Sequence, residues 1–318
     1  MSQSAVIACS EVWGNNRAAA ASLALPGLVG WVCSRPYHGQ EAGGDVHYIS
    51  SCGTGRIARL MLADVSGHGG DAAGVASKLR RVMQRYMNHI EPQALAKRLN
   101  RDIGDAVGDT GRFATALVLT FFSPDGGLSL CNAGHPPPML YRRASGRWSP
   151  IVQPDTQERI ANLPLGVLDS VGYEGRELTL EPGDVVLAYT DCLIEASRCD
   201  EAGRPDGPML DISGLRDTLN ALPIASDPQA GPRVVVDALL DRLSREKYVL
   251  DDDLTVVALM CTERSAGRGT ASRMMGVVRA LRMMAGAIVG RSPAPWPEFS
   301  MANLIGGLWP GYRRRPRG

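Results

Sequence analysis

Short apolar runs dominate the first third of the chain. Leu28 to Cys33, Asp45 to Ser51 and Arg56 to Ala63 are rich in β-branched and aliphatic residues and are divided by Gly-containing turns, a pattern that predicts a meander of antiparallel strands. The period then changes. From Asp71 the apolar residues Val75, Leu79, Val82, Met83, Tyr86 and Ile90 recur at intervals of three and four, and a second such pattern runs from Gln93 to about Val107; both predict helices laid over one sheet. Strands return at Phe113 to Phe122 and Leu128 to Asn132, joined by Ser-Pro-Asp-Gly-Gly, whose Pro and Gly suit turn geometry. Met139 to Tyr141, Glu177 to Leu180 and Val185 to Thr190 add further strands. Helical periods over Leu210 to Leu222 and Arg233 to Ser244 precede a closing strand, Leu254 to Cys261. Many strands with helices in two pairs favour stacked sheets covered outside by helices over a doubly wound parallel sheet. Residues 1 to 26 show no sustained period and read as a polar, Ala-rich lead-in.

Composition refines this picture at one end. The 34 Lys and Arg nearly balance the 33 Asp and Glu, but residues 262 to 318 hold ten Arg and only Glu263 and Glu298, leaving 24 basic against 31 acidic residues before them. An acidic body suits cation binding and argues against nucleic acid as a partner. The basic tail, residues 262–318, includes an apolar stretch from Met274 to Val289 with Arg279 and Arg282, a candidate amphipathic helix. It suggests either peripheral contact with an anionic membrane or, the reading preferred here, docking on the domain. The seven cysteines show no metal-site or disulfide spacing, and neither a secretory leader nor a membrane-spanning run is evident, so a cytoplasmic setting is expected.

The candidate chemistry lies at strand ends. Aspartates stand in Gly43-Gly44-Asp45, in Ala63-Asp64-Val65-Ser66-Gly67-His68-Gly69, in Tyr189-Thr190-Asp191 and in Asp251-Asp252-Asp253-Leu254-Thr255. One aspartate beside a Gly is usually a turn former. Four at comparable boundaries suggest carboxylates converging on one sheet rim, where their mutual repulsion calls for hard divalent cations.

These motifs, in this order and together with Asn132-Ala133-Gly134-His135-Pro136-Pro137-Pro138 and Leu163-Pro164-Leu165-Gly166, resemble the SpoIIE/RsbU-like branch of the PPM-type (type 2C) protein phosphatases. The resemblance implies an α+β, four-layer α/β/β/α sandwich over residues 27–261, two mainly antiparallel sheets packed face to face with helix pairs outside. It implies a serine/threonine phosphatase using two Mn²⁺ or Mg²⁺ ions, with phosphorus attacked by a metal-bridging water. By the same resemblance Asp64 bridges the ions, the Val65 carbonyl completes one shell, Asp191 and Asp252 hold one metal, and Asp45 stands beside the pair; Asp253 is the alternative to Asp252. Asp64 and Asp45 are the catalytic candidates. The implied partner is a phosphorylated regulatory protein of anti-anti-sigma (STAS-domain) type.

Two positions depart from the family pattern. Tyr48 stands where G-G-D-x-x-D has its second carboxylate, and Cys192 where T-D-G has Gly. They motivate an alternative reading, a phosphatase-fold binding protein with little turnover. His68 and His135 are expected to shape loops in preference to moving protons, Cys192 to pack as a small hydrophobe, and Arg35 is a phosphate-contact candidate outside the main set.

Overall fold

A computed structural model describes residues 3–7, 11–51, 56–66, 78–82, 91–107, 113–152, 161–168, 170–200, 204–222 and 231–262. Strands β1 (Gln3–Val6), β2 (Glu11–Trp13), β3 (Ala19–Leu25), β4 (Leu28–Arg35), β5 (Asp45–Ser51) and β6 (Ile57–Val65) come first. Helix α1 (Pro92–Val107) leads into β7 (Ala114–Phe122), β8 (Gly127–Ala133), β9 (Met139–Arg142), β10 (Arg147–Pro150), β11 (Gly175–Thr179) and β12 (Val185–Tyr189). The short α2 (Cys192–Glu195), β13 (Ser197–Cys199), β14 (Pro205–Met209), α3 (Asp211–Asn220), α4 (Gly231–Arg245), β15 (Tyr248–Val249) and β16 (Leu254–Cys261) complete the order.

One sheet has seven strands in the order β1-β3-β4-β16-β12-β9-β10, the other six in the order β11-β8-β7-β6-β5-β2. Pairing is antiparallel in both except for β1 on β3. The sheets face each other through Leu60, Leu62, Leu117, Leu119 and Leu130 on one side and Val32, Val186, Val257 and Leu259 on the other. Alternate residues point outward. Val46, Tyr48, Met61 and Val118 pack under α1, and Trp31, Leu187, Val256 and Met260 under α3 and α4. This is the expected sandwich, with the apolar stripe of each helix closing an outer face. Of the helix expected from Asp71, residues 78–82 are helical, with Leu79 and Val82 in the core; the remainder lies outside the described residues.

The lead-in is corrected. Residues 3–25 supply three strands, and β3 pairs with β4 along its whole length, from Ala19↔Ser34 to Leu25↔Leu28. The run Ala19–Leu25 is mostly alanine, a weak strand former, so its place comes from the ladder and from Leu23 and Leu25 in the inter-sheet core. Also unforeseen is a small sheet, β14-β13-β15. Its segment Pro-Asp-Gly-Pro-Met reads as turn chemistry. The basic tail, including Met274 to Val289, lies outside the described residues.

Candidate metal centre

The register of two ladders gathers the carboxylates. Asp45 opens β5 and Asp64 lies near the end of β6, directly opposite each other in an antiparallel pair. On the facing sheet, Tyr189 at the end of β12 pairs with Val256 of β16, which places Asp191 just past one strand and Asp252 just before the other at a common edge. Strand parity points Asp45 and Asp64 toward the gap between the sheets, because their alternates Ile49, Leu60 and Leu62 line the inter-sheet core.

A chain of hydroxyls spans that gap. Thr190 donates its hydroxyl to Asp45 Oδ2 at 2.8 Å and accepts the Thr255 N–H at 2.9 Å, while Thr255 and Ser34 share a 3.0 Å hydroxyl contact. The threonines in T-D and D-x-T therefore fix the relation of the two sheets at the rim. The sequence pattern does not single them out; their signal is a hydroxyl beside each late aspartate. Deeper in, His135 ties the same sheets together. Its Nε2–H must donate to the Tyr189 carbonyl at 3.0 Å, which leaves Nδ1 to accept from Thr115 at 2.9 Å. Burial lowers its pKa to about 4, and with both ring nitrogens engaged it is a structural histidine, as expected. His68 lies outside the described residues.

The Gly-Gly-Asp turn is held by Asp253. Its carboxylate accepts the Tyr37 N–H at 2.6 Å and the Gly44 N–H at 2.5 Å. A Cβ on Gly43 would collide with that carboxylate, so the first glycine is a packing requirement. Asn16 brackets the same turn, accepting the Gly43 N–H through its carbonyl at 2.9 Å and donating Nδ2–H to the Gly43 carbonyl at 3.0 Å. Asp253 is thus engaged in supporting the turn, and Asp252 is left as the ligand candidate.

The electrostatics are those of crowded anions. Burial, followed by the charges of Asp191 and Asp252, pushes the Asp64 carboxyl up to about 7. Asp64 and Asp191 come within hydrogen-bond reach of each other, so ionising Asp64 brings two negative charges together. Burial and the Asp64 charge hold Asp45 well above the usual carboxylate range. Glu195, one turn after Asp191, is also raised, by burial and then by Asp191 and Asp252, which adds a carboxylate to the cluster. Among the described residues no Lys or Arg forms an ion pair with Asp45, Asp64, Asp191 or Asp252. Nor, among them, do three or more His, Cys, Asp or Glu side chains stand close enough together to make a preformed metal site. The cluster is open, all-oxygen and short of positive charge, a donor set that suits hard divalent cations.

Both departures from the family pattern are accommodated by the fold. Tyr48 lies on the helix-facing side of β5, away from Asp45, so a carboxylate at 48 would not share the face of the cluster. Cys192 begins α2 without positive φ and so needs no glycine. Its thiol, pushed up to about 12 by burial, stays neutral and touches the Asp252 carbonyl at 3.4 Å. Arg35, at the exposed end of β4, reaches back to the Cys33 thiol on the side facing α4, away from the gap between the sheets.

The family model for stage II sporulation protein E (SpoIIE) matches residues 54–262, about two thirds of the chain. The chain belongs to the SpoIIE family. Its fold is shared with solved relatives of PP2C type. The RsbU and RsbW domains of a Mycobacterium tuberculosis protein are 25% identical, with TM-score 0.58 over 83% of this chain and 70% of that one. The PP2C phosphatase domain of Bacillus subtilis SpoIIE, with a fragment of its regulatory domain, is 18% identical, with TM-score 0.55 over 74% of this chain and 64% of that one. The catalytic domain of the serine/threonine phosphatase PstP, in complex with two manganese ions, is 17% identical, with TM-score 0.52 over 74% of this chain and 99% of that one. Membership in SpoIIE makes the chain a phosphatase of the divalent-metal-dependent class. No helix among the described residues is long and apolar enough to cross a membrane.

Proposed function

We infer that this chain hydrolyses phosphoserine or phosphothreonine on a regulatory protein with two Mn²⁺ or Mg²⁺ ions, held by Asp45, Asp64, Asp191, Asp252 and the Val65 carbonyl. The observation that carries this reading is the meeting of four chain-distant aspartates at one rim, with Asp45 tied across the gap by Thr190. When bound, the ions supply an acidified water and neutralise charge on the phosphoryl oxygens.

The protein's own contribution is placement. Asp64, carried on a central strand between β5 and β7, is the carboxylate that would be shared between the ions. Thr190 fixes the orientation of Asp45, and Asp253 holds the turn from which Asp45 projects. No side chain is needed as nucleophile, and the neutral Cys192 thiol is unsuited to be one. For the substrate, the resemblance of the motifs to the SpoIIE/RsbU-like branch implies a serine-phosphorylated STAS-domain protein.

The test is phosphate release from such a phosphoprotein and from para-nitrophenyl phosphate. Turnover of both is expected with Mn²⁺ and none after chelation. Metal-independent turnover, or none under any metal, would contradict the reading.

A further inference from the structure

We propose that Phe113, Val167 and Leu168 form an apolar docking lip for the substrate phosphoprotein, flanked by a basic stripe on α1 that receives carboxylates of that partner. This rests on the phosphatase reading and extends it to how a protein substrate is gripped.

The position of the lip is fixed by the centre itself. Ser66, two residues after Asp64, accepts the Phe113 N–H through its hydroxyl at 2.9 Å and donates its own N–H to the Phe113 carbonyl at 3.0 Å. Ala114 and Leu165 exchange backbone hydrogen bonds of 3.0 and 2.7 Å, so one step further along this pairing Phe113 comes level with Gly166, beside Val167 and Leu168. Those two are held from beneath. Asn100 of α1, itself buried, accepts the Gly166 N–H at 2.8 Å and donates to the Leu168 carbonyl at 2.8 Å. The backbone is thus anchored while the side chains face outward.

Exposure sets these side chains apart. Phe113 is 40%, Val167 44% and Leu168 50% exposed, three of the seven large apolar residues that the described surface leaves open, and Phe113 is bonded to Ser66, two residues after Asp64. Val167 and Leu168 are neighbours in the chain and Phe113 lies opposite Gly166, so the three open one local apolar surface of the kind contacts use. Its charge is equally local. Lys97 and Arg101, one turn apart on α1, are both exposed on one helical face, and Arg101 directly follows the buried Asn100. They stand on a body that is otherwise acidic, with 24 basic against 31 acidic residues before residue 262. The surface fits a folded phosphoprotein with an apolar contact and carboxylates near its phosphoserine.

The test compares the full chain with Val167→Ser/Leu168→Ser and with Arg101→Glu. Each is assayed with Mn²⁺ on a serine-phosphorylated STAS-domain protein and on para-nitrophenyl phosphate. The expected result is a loss of at least tenfold in kcat/KM on the phosphoprotein, mainly in KM, with aryl phosphate turnover within twofold of wild type. Equal loss on both substrates, or no loss on either, would overturn the docking role. So would wild-type turnover of the aryl phosphate without turnover of the phosphoprotein. A change of oligomeric state in light scattering with phosphoprotein turnover intact would assign the lip to a second copy of the chain and overturn it too. Wild type inert toward both substrates at every metal concentration would instead refute the phosphatase reading beneath it.

Discussion

Replacing Asp64 by Asn is expected to lower Mn²⁺-dependent phosphatase activity by about a thousandfold or more, on protein and aryl substrates alike. The side chain keeps its size and its place opposite Asp45 on a central ladder, so the fold has no reason to change. What changes is charge. Asp64 is the member of the cluster that feels Asp191, Asp252 and Asp253 together, so it sits where carboxylates of both sheets meet. An amide there cannot serve as the shared anionic ligand. The loss should appear in kcat with both substrates, because the contact removed belongs to the reacting centre and not to protein docking. A variant retaining a tenth or more of wild-type activity would displace Asp64 from its assigned role.

The second expected result is a pH-dependent stability that reverses when metal is supplied. The Asp64 carboxyl is raised from an ordinary value near 3.8 to about 7. A carboxyl whose folded pKa exceeds its unfolded one binds its proton more tightly in the fold. The metal-free protein is therefore stabilised by protonation at low pH and loses that stabilisation as pH rises from about 4 through about 7, by about 1.4 kcal/mol for each pH unit crossed between those values. In chelator, thermal denaturation from pH 8 down to pH 5.5 should show a rising Tm for wild type and a flatter course for Asp64→Asn. Saturating Mn²⁺ should raise Tm most at the alkaline end, because the cation binds the ionised form and stabilises the fold by mass action. A wild-type Tm that falls steadily toward pH 5.5 in chelator, or no gain with Mn²⁺ at pH 8, would contradict a crowded carboxylate centre.

How much of this is readable from the chain depends on the kind of signal. Leu254 to Cys261 stands out because a nearly continuous apolar strand buried on both faces leaves a dense run in the sequence, and its bounds match β16; Asp45 to Ser51, buried throughout but polar at four positions, is marked off by the glycine turn before it and matches β5. The aspartates at their ends are legible because they recur at comparable strand boundaries, where carboxylates brought together repel one another unless a cation joins them. The strand Ala19–Leu25 is hidden for the opposite reason: alanine carries little preference, and the segment is ordered by its neighbour β4 and not by itself. The same holds for Asn16, whose role in bracketing Gly43 is set across the fold.

Thr190 and Asp253 show a subtler limit. Both lie inside recognised motifs, yet their work, a hydroxyl to Asp45 and a carboxylate to the backbone of Tyr37 and Gly44, is defined only when the two sheets are placed face to face. Tyr48 illustrates the converse. Its residue type alone suggests a lost ligand, whereas strand alternation puts it under α1, where an aromatic ring fills the core.

A rim that cages cations can be seen directly. Crystals of the wild-type chain grown with Mn²⁺ and measured above the manganese absorption edge should show two anomalous peaks in the gap between the sheets, with Asp64 between them and Asp191 and Asp252 on one of the pair. Peaks confined to surface carboxylates elsewhere, or none at this rim at saturating Mn²⁺, would contradict a metal centre here.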